Sequence, residues 1–312
     1  MDRRRFLYSI GGGGLAATTL SNQTTEQKWF GKSRALNKIT ILHTNDTHSH
    51  IDAFPINHKR YPGKGGVNGR KFVVDKIRKT EKNVLLLDAG DIFQGTPYFN
   101  LYGGELELKL MSAIGYDAAT IGNHDFDGGI DGFSNALPNA NFPFLCSNYN
   151  FDNTILNGKT HDFKIFRKGH LKIGVFGVGV ELDGLVSKDM YKETQYENPI
   201  KSAQKQADIL KEEYKCNLVI CLSHLGYFAK QNEMCDTVLA KETTNIDLII
   251  GGHTHTFLEK PEMHKNKLGK AVLINQVGWA GIMLGRVDFY FDNKGNPDLW
   301  ASINMPTNVE VG

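Results

Sequence analysis

Five places in the chain put an amide, an imidazole or a carboxylate directly after an apolar run. The densest is Gly122-Asn123-His124-Asp125-Phe126-Asp127, which follows Ala118-Ala119-Thr120-Ile121. The others are Asp46 and His48 after residues 39–42, Gly90-Asp91 after Val84-Leu85-Leu86-Leu87, His224 after residues 217–222, and Gly252-His253-Thr254-His255 after residues 246–250. Short apolar runs read as buried strands, and in open α/β sheets ligands collect beyond the carboxyl ends of the strands. Any one of these segments also fits an ordinary polar turn whose Asn or Asp bonds its own backbone. Their recurrence favours one site assembled from several strand ends. Carboxylate and imidazole donors without thiolate suit manganese, zinc, iron or cobalt.

The spacing adds detail. Asp46 and His48 stand two apart, so an extended segment would turn both to one side. His253 and His255 repeat that spacing after a double glycine, which lets backbone approach a ligand closely. Gly122 is expected to let the chain turn sharply as its strand ends. Asp91 lies past its strand and is the better ligand, whereas Asp88 reads as a turn residue or a support behind the site. His43 lies within a strand and reads as a core histidine. His50 can line the site or stand outside it, and Phe93, Tyr98 and Trp279 can face substrate or pack.

The elements that must position these residues alternate in type. Phe72, Val73 and Ile77 give one helix its apolar side. A second helical region runs through Leu106, Leu110, Met111 and Ile114, with Gly115 as its cap. Residues 142–148 read as a short strand, residues 163–167 and 171–178 as a hairpin, and residues 199–214 as a helix. Residues 271–276 and 283–291 read as antiparallel strands closing a second sheet. The expected fold is α/β, two mixed β-sheets packed as a sandwich flanked by helices. Cys146, Cys216, Cys221 and Cys235 form no Cys-x-x-Cys pair and read as buried free thiols. The 312 residues carry a net charge of +2, which gives no electrostatic footprint for nucleic acid.

The first residues stand apart. Arg3-Arg4-Arg5-Phe6-Leu7, then Tyr8-Ser9-Ile10 and four glycines, resemble a bacterial twin-arginine export signal. The stretch is too short and glycine-rich for a stable membrane span. Residues 1–35 are therefore expected to be signal and linker, and residues 36–312 one catalytic domain, periplasmic or extracellular after export. That route carries folded proteins, which suits a chain that takes up its metals in the cytoplasm.

Taken together and in order, the five segments resemble the calcineurin-like metallophosphoesterases. His43-Thr44-Asn45-Asp46 and Gly122-Asn123-His124-Asp125-Phe126-Asp127 are similar to the 5′-nucleotidase branch. The resemblance spans residues 39–290 and implies two divalent ions. One would be held by Asp46, His48, Asp91 and His255, the other by Asp91, Asn123, His224 and His253, with Asp91 as the bridge. It also implies a metal-bound hydroxide as nucleophile, with His124 bonding the phosphoryl or leaving oxygen and Asp127 orienting its ring. Some members carry glutamine where His255 stands, which bears on metal preference.

The function so implied is hydrolysis of small phosphomonoesters, with 5′-nucleotides foremost. Cyclic-nucleotide or other phosphodiester hydrolysis is the alternative within the same core, and the thiosulfohydrolase of sulfur oxidation is a weaker resemblance. A non-enzyme alternative is the metal-binding subunit of a split nucleotidase. Nucleotidases of this branch usually continue into a domain that stacks the nucleobase. Here the chain after His255 is expected to be used in closing the second sheet, so a separate chain would carry that domain. The chain alone would then act broadly and weakly, with little difference between AMP and p-nitrophenyl phosphate. The amino-terminal reading has its own test: residues 1–35 fused to a fluorescent reporter should deliver it folded to the periplasm. Changing Arg3, Arg4 and Arg5 together to Lys should stop delivery, and unaltered export of that variant would rule the route out.

Overall fold

The computed structural model describes residues 37–228 and 234–308. The arginine-rich start and its linker lie outside the described residues. In chain order the described strands are β1 (Asn37–Thr44), β2 (Val84–Asp88), β3 (Ala118–Ala119), β4 (Tyr149–Asn150), β5 (Phe163–Lys168), β6 (Leu171–Gly179), β7 (Gln195–Tyr196), β8 (Leu218–His224), β9 (Leu248–Gly251), β10 (Glu262–Lys265), β11 (Ala271–Asn275), β12 (Met283–Phe291) and β13 (Pro297–Pro306). The helices are α1 (Gly66–Thr80), α2 (Pro97–Tyr102), α3 (Glu105–Ile114), α4 (Gly129–Ala136), α5 (Lys188–Tyr191), α6 (Pro199–Asp208) and α7 (Asp236–Glu242). One sheet runs β13-β12-β1-β2-β3 and the other β10-β11-β9-β8-β6-β5, while β4 and β7 form a small ribbon.

The alternation of side chains along the strands sets the layers. On β1, Ile39 and Ile41 enter an apolar cluster shared with Leu218, Ile220 and Leu222 of β8 and Leu248 and Ile250 of β9. That cluster is the seam between the two sheets. The opposite faces carry Leu42 and Leu86 against the side of α1, α3 and α4, and Val219, Cys221 and Ile249 against α6 and α7. Strands buried on both faces need continuous apolar runs rather than alternation, which is how residues 84–87 and 248–250 read. Helix, sheet, sheet and helix thus stack as four layers.

Within the first sheet β1, β2 and β3 run parallel, and within the second β6, β8, β9 and β11 run parallel. Their carboxyl ends open on one rim. The antiparallel strands β12, β13, β5 and β10 close the outer edges.

Several sequence expectations change. Residues 271–276 and 283–291 do not pair with each other: β11 lies parallel to β9 in the second sheet, whereas β12 lies antiparallel to β1 in the first. The chain after β12 therefore extends the first sheet, through β13. Each strand carries an apolar face, Leu273 on β11 and Val287, Phe289 and Phe291 on β12, that fits the seam from either sheet. Residues 142–148 form isolated bridges at Phe144 and Leu145 rather than a strand, since Pro143 has no N–H to give. On α1 the buried set is Val67, Arg70, Val74 and Ile77, while Phe72 is exposed. The helix expected over residues 199–214 is α6 followed by a π turn at Ile209–Glu213. Gly115 caps α3 in the left-handed region with φ 87°, as expected. The four cysteines are free and buried.

The seam between the sheets should carry much of the stability. Ile220 is fully buried there, so Ile220→Ala should cost about 2–5 kcal/mol, read as a lowered urea midpoint at unchanged slope. An unchanged midpoint would contradict the sandwich core.

Candidate metal centre

At the shared rim the strand-end residues converge in two groups. Ligand atoms of Asp46, His48 and His255 lie within 4.8 Å of one another, and so do those of Asp91, His224 and His253. Asn123 joins the second group, its Oδ1 2.9 Å from His253 Nδ1. The Oδ2 of Asp91 faces both groups, 3.0 Å from His224 Nε2 and 3.8 Å from His48 Nε2. All seven proposed ligands are thus brought together.

The backbone that does this is not the extended one expected. Asp46, His48, Asp91, His253 and His255 have φ of 50°, 47°, 55°, 70° and 52°. Left-handed backbone costs a non-glycine residue about 1–3 kcal/mol and concentrates at functional sites. Asp46 and His48 do share a group, but through tight bends rather than strand alternation. His253 and His255, expected to point to one side, go to different groups. Gly122 is likewise needed for a different reason. Its φ is not positive, but any Cβ there would overlap Asp91 Oδ1. At Gly252 a Cβ would press on Ala89 O and His224 Nδ1 at 2.8 Å each, so close approach to neighbouring protein atoms explains that glycine.

A buried carboxylate that the sequence left without a role holds these loops. Asp125 Oδ1 accepts the N–H of Ile92 at 2.9 Å and Phe93 at 3.0 Å, and Oδ2 accepts those of Asp91 at 3.1 Å and Gly122 at 2.8 Å. Asp125 so clamps the turn after β2 to the turn after β3. Burial and the Asp91 charge push its carboxyl up to about 7, against the N–H groups that favour the anion. An Asp three residues past a strand-end glycine, with backbone donors in reach, is the signal that would have found it. Asp88 supports the same turn from behind, accepting from Gly90 N at 2.9 Å and from Thr44 Oγ1 at 2.5 Å.

The electrostatics favour a cation. Burial opposes charge on His224, but the neighbouring Asp91 carboxylate outweighs it and raises the imidazole to about 10. Asp91 is held low in turn, its own burial outweighed by His224. Carboxylates that retain a proton on a buried imidazole would serve a divalent ion equally. His224 Nδ1 lies 2.7 Å from the carbonyl of Ala89, which fixes the ring, while Nε2 is buried and makes no hydrogen bond of ordinary geometry. A carbonyl behind an imidazole that aims its other nitrogen into a site is the usual support of a metal ligand. The Nε2 atoms of His48 and His255 face each other at 3.0 Å. The residues fit the two ions that the sequence led us to expect.

His124 and Asp127 stand at the edge of this centre. His124 Nδ1 is 2.9 Å from Asp127 Oδ2, and that bond raises the imidazole's pKa against its partial burial. The backbone N–H of His124 donates to Asp91 Oδ1 at 2.8 Å. His124 belongs to neither ligand group. His50 also lies outside both; it stacks on Phe54 and meets Trp279 edge-on. His43 is buried in the seam as a core histidine, pushed down to about 3 by burial, with Nε2 2.8 Å from Asn275 Nδ2. Phe93 is core, and Tyr98 Oη donates to Asp52 at 2.7 Å.

Removing the Asp125 clamp should loosen the centre before the fold. Asp125→Ala should weaken binding of divalent ions by about 10-fold or more, the usual cost of losing an outer support, while the far-ultraviolet spectrum stays native. Unchanged metal affinity in a folded variant would show that the clamp does not position Asp91.

A family model described as calcineurin-like phosphoesterase matches residues 39–257. A snake venom 5′-nucleotidase of Gloydius brevicauda is 33% identical over 83% of this chain and 46% of its own length. The trifunctional nucleotide phosphoesterase YfkN of Bacillus subtilis is 32% identical over 82% of this chain and 18% of its own length. In structure, the 5′-nucleotidase precursor of Thermus thermophilus superposes with a TM-score of 0.80 at 30% identity, covering 87% of this chain and 55% of that one. The chain spans about half or less of the length of these curated relatives. The family match runs from β1 to just past His255 and so contains every residue gathered at the rim; the chain belongs to the calcineurin-like phosphoesterases and is related to the 5′-nucleotidases.

Proposed function

We propose that residues 36–312 form an exported phosphoesterase unit that hydrolyses phosphomonoesters, 5′-nucleotides foremost, at a centre of two divalent ions. The observation that carries this reading is the placement of Asp91 Oδ2 between the two ligand groups. A carboxylate is the side chain suited to bridge two cations. Asp46, His48 and His255 would hold one ion, and Asn123, His224 and His253 the other. A pair of divalent ions, once bound, neutralises phosphate charge and brings a water's pKa toward neutrality.

The chain's own residues do the rest. The oxygen and nitrogen donors leave the metal as manganese, zinc, iron or cobalt. Asp127 fixes the His124 ring through Nδ1 and favours its protonated form. Nε2 is then left to donate to the phosphoryl or leaving oxygen, as a general acid does. The nucleotide specificities in the relatives' names support nucleotide esters as substrates. Arg3-Arg4-Arg5-Phe6-Leu7 supports twin-arginine export to the periplasm or beyond. Among the described residues no helix is long and apolar enough to cross a membrane.

Elemental analysis and a phosphatase assay test this together. The purified chain should carry two divalent ions per molecule, and Asp91→Ala should lose both; one ion at full occupancy in that variant would remove the bridge. His124→Ala should keep both ions and lose about 10²–10⁴-fold in turnover of p-nitrophenyl phosphate. Loss of metal instead would make His124 a ligand and not the acid.

A further inference from the structure

Four large rings stand beside the metal centre and belong to none of the three apolar cores: Phe54, Tyr61, Phe257 and Trp279. Trp279 lies parallel to His255, with centroids 5.8 Å apart and planes at 9°. Phe54 meets Trp279 edge-on at 5.9 Å and lies tilted against Tyr61 at 5.6 Å, and Tyr61 stacks on Phe257 at 6.0 Å. Phe257 is 40% exposed, while Phe54, Tyr61 and Trp279 are half-buried. Aromatic surface left outside a core is unfavourable unless something covers it.

The rings are also held in register with the first ligand group. Asn45 Nδ2 donates to Gly278 O at 2.6 Å, its Oδ1 accepts from Val277 N at 2.9 Å, and Ala280 N donates to Asp46 O at 2.7 Å. Phe257 pairs with Val277 in an antiparallel bridge, and Gly278 N donates to Thr256 O at 2.9 Å. The loop that carries Trp279 is thus bonded to Asp46, and the segment that carries Phe257 starts at His255. Rigid rings placed beforehand lose little entropy when a flat ligand stacks on them.

Resting on the phosphoesterase reading, we propose that Trp279 and Phe257 form a ledge for the leaving group of the ester, supported by Tyr61, whose ring is already stacked on both His58 and Phe257. A phosphate held between the ligand groups has its alcohol portion outside the metal centre, and on the His255 side that portion meets the ledge. The ring faces suit a planar aromatic body, a nucleobase or a phenol. They contain no base-reading donor or acceptor beyond the Tyr61 hydroxyl and the Trp279 N–H, so the ledge selects flatness over base identity. The chain accordingly prefers nucleoside and aryl phosphates to alkyl phosphates, and treats AMP and p-nitrophenyl phosphate alike.

The test compares kcat/KM for AMP, p-nitrophenyl phosphate and glycerol 3-phosphate on the metal-loaded chain. In Trp279→Leu and in Phe257→Leu the loss on the two aromatic esters should exceed the loss on glycerol 3-phosphate by about tenfold, the scale of one base stacked on one ring. Phe257 has no ring contact with His255 among the stacked pairs, so it separates stacking from support of that residue. Equal losses on all three esters, or none, would overturn the ledge. A second measurement stands apart from turnover: adenosine, which has no phosphate, should quench tryptophan emission in the unaltered chain and not in Trp279→Leu. If the unaltered chain hydrolyses no ester, the phosphoesterase reading fails, and the quench alone decides the ledge. A quench that survives Trp279→Leu, or no quench at all, overturns it.

Discussion

Four backbone N–H groups from two separate loops end on one buried carboxylate, that of Asp125. The rest of the centre depends on that convergence. Asp91 sits in left-handed backbone at φ 55°, a conformation that is costly for a residue with a side chain and persists where its surroundings hold it. With the N–H groups of residues 91, 92 and 93 all committed to Asp125, the turn after β2 has one shape. Gly122 then lies against Asp91, where no larger residue fits. The position of Asp91 fixes His124 through its N–H and faces His224 and His48 through Oδ2.

The layers of the fold make this convergence available. Three apolar clusters separate the four layers, and the middle one locks the sheets face to face. Parallel strands in both sheets then end on one rim, so polar turns far apart in sequence become neighbours. His224 and Asp46 come from different sheets, which are joined at the rim by the Ala89 carbonyl, accepting from the His224 ring at 2.7 Å, and by Asp46 Oδ1, accepting from His253 N at 2.9 Å. Crowding carboxylates and imidazoles in a buried place is costly unless a cation joins them. The raised pKa of His224 is the sign of that demand.

The pattern of the chain was readable because its physics is local. Apolar runs followed by Asp, His or Asn mark β1, β2, β3, β8 and β9, and each ligand named from these runs sits at the rim. Sheet membership was less readable. Residues 271–276 and 283–291 are both apolar strands, and nothing within either says that one joins β9 and the other β1. Helix α1 shows a similar limit: Phe72 looked apolar enough to be inside, yet Val74 and Arg70 take the buried side. Register around a helix is set by what it lies against.

The same division holds at the centre. The sequence by itself determined which side chains are present, their order, and the apolar strands that carry them, because hydrophobic periodicity and donor type are properties of short segments. Only the tertiary structure decided how the donors divide. His253 and His255 have the spacing of a pair, but left-handed turns send one to Asp91 and the other to Asp46. Asp125 reads as one more polar turn residue until the loop after β2 is brought against it. Trp279 reads as a lone aromatic until Asn45 fixes its loop beside His255. In each case the deciding contact joins residues 30 to more than 200 positions apart, and no short-range pattern encodes a partner at that distance.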